Sequence, residues 1–185
     1  MLKRSTLIIV GIFIVLLVVA VITQRNQDEA EQGSNSGTDL SYLIDVGESE
    51  IIAIEINSSD GSQVIVSRGT DGEWILDVPS NEVADESRIE AAVSLAGAMR
   101  TITKLDLKVD LADMGLDQAK NWIVVTLSNG EQKTAYIGDV TPTNSGYYAY
   151  ATGVPVQVVD KFNVDGVLEI LTEPPILTQL ENEEK

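Results

Sequence analysis

The chain has 185 residues, of which 29 are acidic and 12 basic, with no histidine and no cysteine. Those two absences exclude disulfides, a lipobox cysteine, thiol nucleophiles, Cys/His zinc sites and a Ser-His-Asp triad. Nine basic against 29 acidic residues follow Arg25, a net of −20 that repels nucleic acid and anionic headgroups alike.

The first element is hydrophobic. Leu7 to Ile22 is a run of 16 residues without a polar side chain. With Ser5, Thr6 and Thr23 added, at about 1.5 Å per residue, it nearly spans a bilayer core of roughly 30 Å. The residues expected inside the membrane are Leu7, Ile8, Ile9, Val10, Ile12, Phe13, Ile14, Val15, Leu16, Leu17, Val18, Val19, Val21 and Ile22. Lys3 and Arg4 precede the run, whereas Asp28, Glu29 and Glu31 follow it. The positive-inside rule then keeps the N-terminus cytoplasmic and exports the rest. Val18-Val19-Ala20 has the small residues of a cleavage site, but the apolar run continues past it, so the reading is an uncleaved anchor.

Residues 1–24 thus form a single-pass anchor in the cell membrane. Residues 25–39 are polar, charged and rich in Gly and Ser, a flexible linker. Residues 40–173 carry the Val, Ile and Leu of one extracytoplasmic domain, and 174–185 form an acidic tail.

Within the domain, Leu40 to Val46 is a mixed lead-in. Ile51–Ile56, Gln63–Ser67 and Glu73–Val78 read as three strands joined by Gly/Asp turns, an antiparallel meander. Asp85 is a helix N-cap, and Ile89, Val93, Ala96 and Met99 or Arg100 keep helical spacing, which predicts a helix over Glu86–Arg100. Ile102–Val109 is a further strand candidate, and Leu111–Leu116 a short turn closed by Gly115. Asn121–Leu127 and Gln132–Ile137 flank Asn129-Gly130, the strongest hairpin signal here, and Asn-Gly suits a type I′ turn. Gly146–Ala151 and Pro155–Val159 form another hairpin around Thr152-Gly153, followed by a helix over Lys161–Leu171. The class is α+β, with antiparallel meanders and two packed helices, in an order compatible with a duplicated βββα unit.

Several stretches occur in a familiar order: WILDVP (Trp74–Pro79), the helix after Ala84-Asp85, DLADMGLD (Asp110–Asp117), YIGD (Tyr136–Asp139) and SGYYAY (Ser145–Tyr150). Together they resemble the bacterial family catalogued as domain of unknown function 4340, over about Ile51 to Leu171. Met114 stands where that family usually has an aromatic residue, and Gln118-Ala119-Lys120 where it usually has a proline. The resemblance implies an N-terminal membrane anchor and, from relatives beside ABC-transporter components, an auxiliary place in an envelope complex. It supplies no active residue.

Candidate sites are few. Asp106, Asp110, Asp113 and Asp117 recur at short intervals, but no D-x-D-x-D-G loop gathers them and they read as a solvated face rather than a Ca²⁺ site. Thr101-Ile102-Thr103-Lys104 only superficially resembles Ser-x-x-Lys, since threonine replaces the serine. Tyr147, Tyr148 and Tyr150 are the candidate partner-binding cluster; on a strand, Tyr148 and Tyr150 face one way and Tyr147 the other. Core or rim packing is the reading preferred for them over partner binding.

The expected function is non-catalytic, with no cofactor: a tethered extracytoplasmic binding or assembly module. Its partners are the lipid bilayer through the N-terminal helix and an envelope protein, with no nucleic acid. The charge favours a protein surface bearing basic residues. The alternatives are a carboxylate-dependent enzyme acting on envelope glycan or peptide, and a self-associating structural protein.

Overall fold

The computed structural model describes residues 40–105 and 110–178. The anchor and linker expected over residues 1–39, and Asp106 of the aspartate series, lie outside the described residues. Among the described residues no helix is long and apolar enough to cross a membrane.

Nine strands are described: β1 (Ser41–Asp45), β2 (Ile51–Ser58), β3 (Gln63–Arg68), β4 (Trp74–Val78), β5 (Ala98–Lys104), β6 (Asn121–Leu127), β7 (Gln132–Val140), β8 (Gly146–Ala151) and β9 (Val154–Asp160). They form one sheet in the order β1-β5-β9-β8-β7-β6-β2-β3-β4, and every neighbouring pair is antiparallel. The helices are α1 (Glu86–Gly97) and α2 (Lys161–Thr172). The α+β class and its antiparallel sheet are therefore as the sequence led one to expect.

Alternation explains where the core sits. Ile54 and Ile56 on β2, Ile123 and Val125 on β6, and Ala135 and Ile137 on β7 are all buried. They share one cluster with Ile89 and Val93 of α1 and Val164 and Val167 of α2. Both helices thus cover the same face of the sheet. Trp74 and Leu76 of β4 enter that cluster too, so Trp74, Ile89 and Val93 are buried together. Both helices begin as the sequence predicts. The Asp85 carboxylate accepts from the Arg88 backbone N–H at 3.3 Å and the Ser87 hydroxyl at 2.7 Å. These two bonds, the serine's first, hold its carboxyl below the usual carboxylate range. Asp160 caps α2 through the Phe162 N–H at 2.9 Å.

Three details depart from expectation. The first helix ends at Gly97 rather than Arg100, and Ala98 already opens β5. The Gly97 carbonyl accepts from Val46 N–H at 2.9 Å, which leads the chain out into the strand beside β1. Met99 is fully buried there, so an inward strand residue extends the helical spacing by coincidence. Leu40–Val46, expected as a lead-in, contains edge strand β1, paired to β5 with a bulge between Tyr42 and Ile44. The Asn129-Gly130 hairpin has the expected partners, Ile123 with Ala135 and Val125 with Lys133. Its turn is not type I′, however, because positive φ falls on Gly130 (84°) and not on Asn129. Gly130 N–H donates to Leu127 O and Leu127 N–H to Glu131 O, the pattern of a type I turn with a glycine bulge.

The chain after α2 also belongs to the domain as far as Leu177. Ala84 bridges Ile176, and Asp85 N–H donates to Pro175 O at 2.8 Å. Arg88 holds the Glu173 and Pro174 carbonyls at 2.7 and 3.1 Å. The first residues of the expected acidic tail are thus tied to the start of α1.

Candidate functional site

The sheet face opposite the helices is built differently. On β6, β7 and β8 the residues that alternate with the buried aliphatics include Trp122, Tyr136, Tyr148 and Tyr150, all half-buried, with Val124, Thr126 and Thr134 farther along β6 and β7. Register places three of them in one row: Trp122 pairs with Tyr136, and Tyr136 with Tyr150. The Tyr136 and Tyr150 rings stack, with centroids 4.8 Å apart and planes 18° from parallel. That geometry follows from directly opposed residues on neighbouring antiparallel strands.

A segment from the β5–β6 connection borders the row. Ala112–Met114 form a single 3-10 turn, closed by Gly115 in the left-handed region at φ 66°. Asp110 starts it, its carboxylate accepting from Ala112 N–H at 3.1 Å. Leu116 N–H returns to Leu111 O at 2.8 Å, and the Leu116 side chain is buried. This turn lies against β7 at Gly138, where a Cβ would stand 2.2 Å from Met114 O and 2.8 Å from Leu116. Only glycine allows so close an approach between the turn and the strand. Between turn and row lies a groove of about 320 Å³, lined by Leu116, Asp117, Ala119, Trp122, Tyr136 and Tyr150.

Three of the stretches singled out in the sequence meet here: Asp110–Asp117 supplies one wall, and Tyr136–Asp139 and Ser145–Tyr150 the floor. Sequence reading found Tyr150 and Asp117 but missed Trp122, Tyr136 and Leu116. Period-2 alternation on β6 and β7 marks Trp122 and Tyr136 as facing away from Ile123 and Ile137. The cross-strand register that aligns them with Tyr150 is the signal that a single strand does not carry.

The tyrosine cluster splits as alternation requires. Tyr148 and Tyr150 are on the open face; Tyr147 is on the helix face, where its hydroxyl donates to Asp165 Oδ1 at 2.7 Å. Lys161 bonds the other Asp165 oxygen at 2.5 Å and lies 5.2 Å from the Tyr147 ring centroid. Burial, then the Asp165 bond, raises the Tyr147 hydroxyl above its ordinary range. Tyr147 is thus engaged within the protein. By contrast, no hydrogen bond to Trp122 Nε1 or to the Tyr136, Tyr148 or Tyr150 hydroxyls is made among the described residues, and these polar tips are not sealed from solvent.

The aspartates do not converge. The Asp110 carboxylate accepts from Ala112 N–H, Asp117 lines the groove, and among the described residues no three acidic side chains lie together as a metal site would need. The Thr101 hydroxyl donates to the buried Gln157 side-chain carbonyl at 2.5 Å, a polar bond within the sheet. Comparison with family models, with curated proteins and with solved structures finds no match to this chain.

Proposed function

We propose that this chain is a single-pass membrane protein whose extracytoplasmic domain is a non-catalytic binding module, acting through the open face of its sheet. The observation that carries the reading is the row Trp122–Tyr136–Tyr150 with its adjoining groove. Large rings with solvent-facing polar ends are the side chains that dominate binding interfaces. On the helix side the Tyr147 hydroxyl is engaged by Asp165, whereas the polar ends of the open row are left to solvent.

The setting rests on the sequence. The apolar run from Leu7 to Ile22 and the charges around it support anchoring with the domain outside. The polar linker supports a domain held near the membrane, where tethering raises effective concentration and lets a weak contact suffice. The motif order that resembles domain of unknown function 4340 supports an envelope complex as the place of action. The sheet order supports a duplicated βββα origin as well: β4-β3-β2 and β6-β7-β8 run outward from the antiparallel β2/β6 pair.

The test is capture from mild detergent with the intact chain. Wild type should retain a partner, and a Trp122→Ala/Tyr136→Ala/Tyr150→Ala variant that still unfolds in one cooperative transition should lose it. Equal capture by both would remove the open face from the function. A reporter fused after Lys185, active only outside the cytoplasm, checks the orientation.

A further inference from the structure

The open face can be assigned a ligand chemistry. We propose that the groove receives an arginine or lysine side chain of a protein partner, held between the aromatic row and the Asp117 carboxylate; this rests on the binding-module reading.

The groove's size sets the scale. About 320 Å³ accommodates one or two side chains and not a protein surface, so it acts as a pocket for an anchor. Its lining sets the chemistry. Among the described residues Asp117 is the one charged residue that borders it, beside Trp122, Tyr136 and Tyr150. Aromatic faces attract cations, tryptophan most strongly, and a carboxylate in the same pocket adds charge-assisted hydrogen bonds.

Two contacts inside the domain show this sequence using that chemistry already. Arg68 sits 4.5 Å from the Trp74 ring centroid, and Lys161 5.2 Å from that of Tyr147. Among the described residues no cation lies over Trp122, Tyr136 or Tyr150. The nearest sequence neighbour, Lys120, is exposed and turned toward Asp139 at 4.0 Å. A cation from outside would complete at Trp122 what Arg68 completes at Trp74.

The surrounding charge acts in the same direction. A chain of net −17 speeds encounter with basic surfaces and opposes acidic ones. β6, β7 and β8 each have strand neighbours on both sides, so an incoming peptide meets no free sheet edge there. Recognition at this place is by side chains and not by addition of a strand.

The test uses the full chain, ¹⁵N-labelled, in detergent micelles, titrated with tri-arginine amide and followed at its indole N–H signals. The two tryptophans make a built-in control, since Trp74 is buried in the core and Trp122 borders the groove. Tri-arginine should shift the Trp122 signal saturably and leave that of Trp74 in place. Asp117→Asn should weaken binding about fivefold or more, whereas Glu90→Gln, remote on α1, should change it less than about twofold. Equal weakening by both would mean diffuse attraction to an acidic chain and would overturn the proposal. So would a Trp122 shift with the neutral glycan chitotriose and none with tri-arginine. If neither probe binds but the aromatic variant still loses its partner in the capture experiment, the cationic-anchor proposal fails and the binding-module reading stands.

Discussion

The two faces of this sheet use the same strands for opposite purposes. Looking toward the helices, β6, β7 and β8 present Ile123, Val125, Ile137 and Ala149, none more than 1% exposed. Looking away, the same strands present Trp122, Tyr136, Tyr148 and Tyr150, all half-exposed. The first set is aliphatic, branched or small, and interlocks with two helices. The second includes four rings with polar tips, bordered by the turn around Met114. Stability should therefore reside on one face and recognition on the other.

The sharpest way to break that comparison is to truncate one ring on each face. Trp74→Ala removes a buried tryptophan from the helix side and should cost about 3–5 kcal/mol in urea unfolding. A loss below about 1 kcal/mol would show that the helix face is not where the core energy lies. Next comes Gly138→Val. Its side chain would collide with the Met114 carbonyl, which is backbone and cannot swing aside, so the turn must lift at a cost of about 1–3 kcal/mol. The Trp122 indole signal should move in this variant while that of Trp74 stays; an unmoved Trp122 would mean that the turn does not shape the groove. Trp122→Ala should cost about 1.5–2.5 kcal/mol, roughly half the loss expected for a fully buried ring, yet abolish partner capture.

The smallest effect is a pH effect on the helix side. Burial works to raise the Asp165 carboxyl, but the hydrogen bonds from Lys161 and Tyr147 overcome it and hold it below the usual carboxylate range. A depressed carboxylate stabilises the fold above the ordinary pKa and loses that contribution as pH falls through the folded value. Asp165 is about half exposed, which screens the interaction. Asp165→Asn should thus cost less than about 1 kcal/mol at pH 7, and the gap from wild type should narrow below about pH 4. A gap that stays constant or widens in acid would contradict the arrangement.

The helix face was the legible one in the sequence. Its branched aliphatics alternate cleanly within each strand, and local chemistry marks the cap at Asp85 and the hairpin at Asn129-Gly130, whereas the Asp160 cap was not read from the sequence. The open face was legible only in fragments. Tyr150 stood out because three tyrosines crowd one strand, whereas Trp122 and Tyr136 each looked like an ordinary outward residue. What unites them is cross-strand register and a turn delivered by the β5–β6 connection, and neither is local in sequence. The end of α1 was misjudged for a related reason. Met99 is inward on a strand, and helical and strand periods happen to agree there. The tail residues to Leu177 looked merely acidic, because their partners, Val83 to Arg88, lie some 90 positions earlier.

The strand order has one more consequence, which concerns time. Among the described strands β1 is the first to be synthesised, yet its partner β5 comes more than 50 residues later, and β5 in turn leans on β9, which ends at Asp160. A chain emerging N-terminus first can assemble the β2-β3-β4 meander early and the β6-to-β9 run late. The β1 edge then waits with open backbone groups until nearly the whole domain has appeared. Such high contact order slows folding and lengthens the interval in which an unpaired strand is open to wrong partners. Short β1, with its bulge and its acidic end at Asp45, is the kind of edge that survives such a wait without recruiting neighbours.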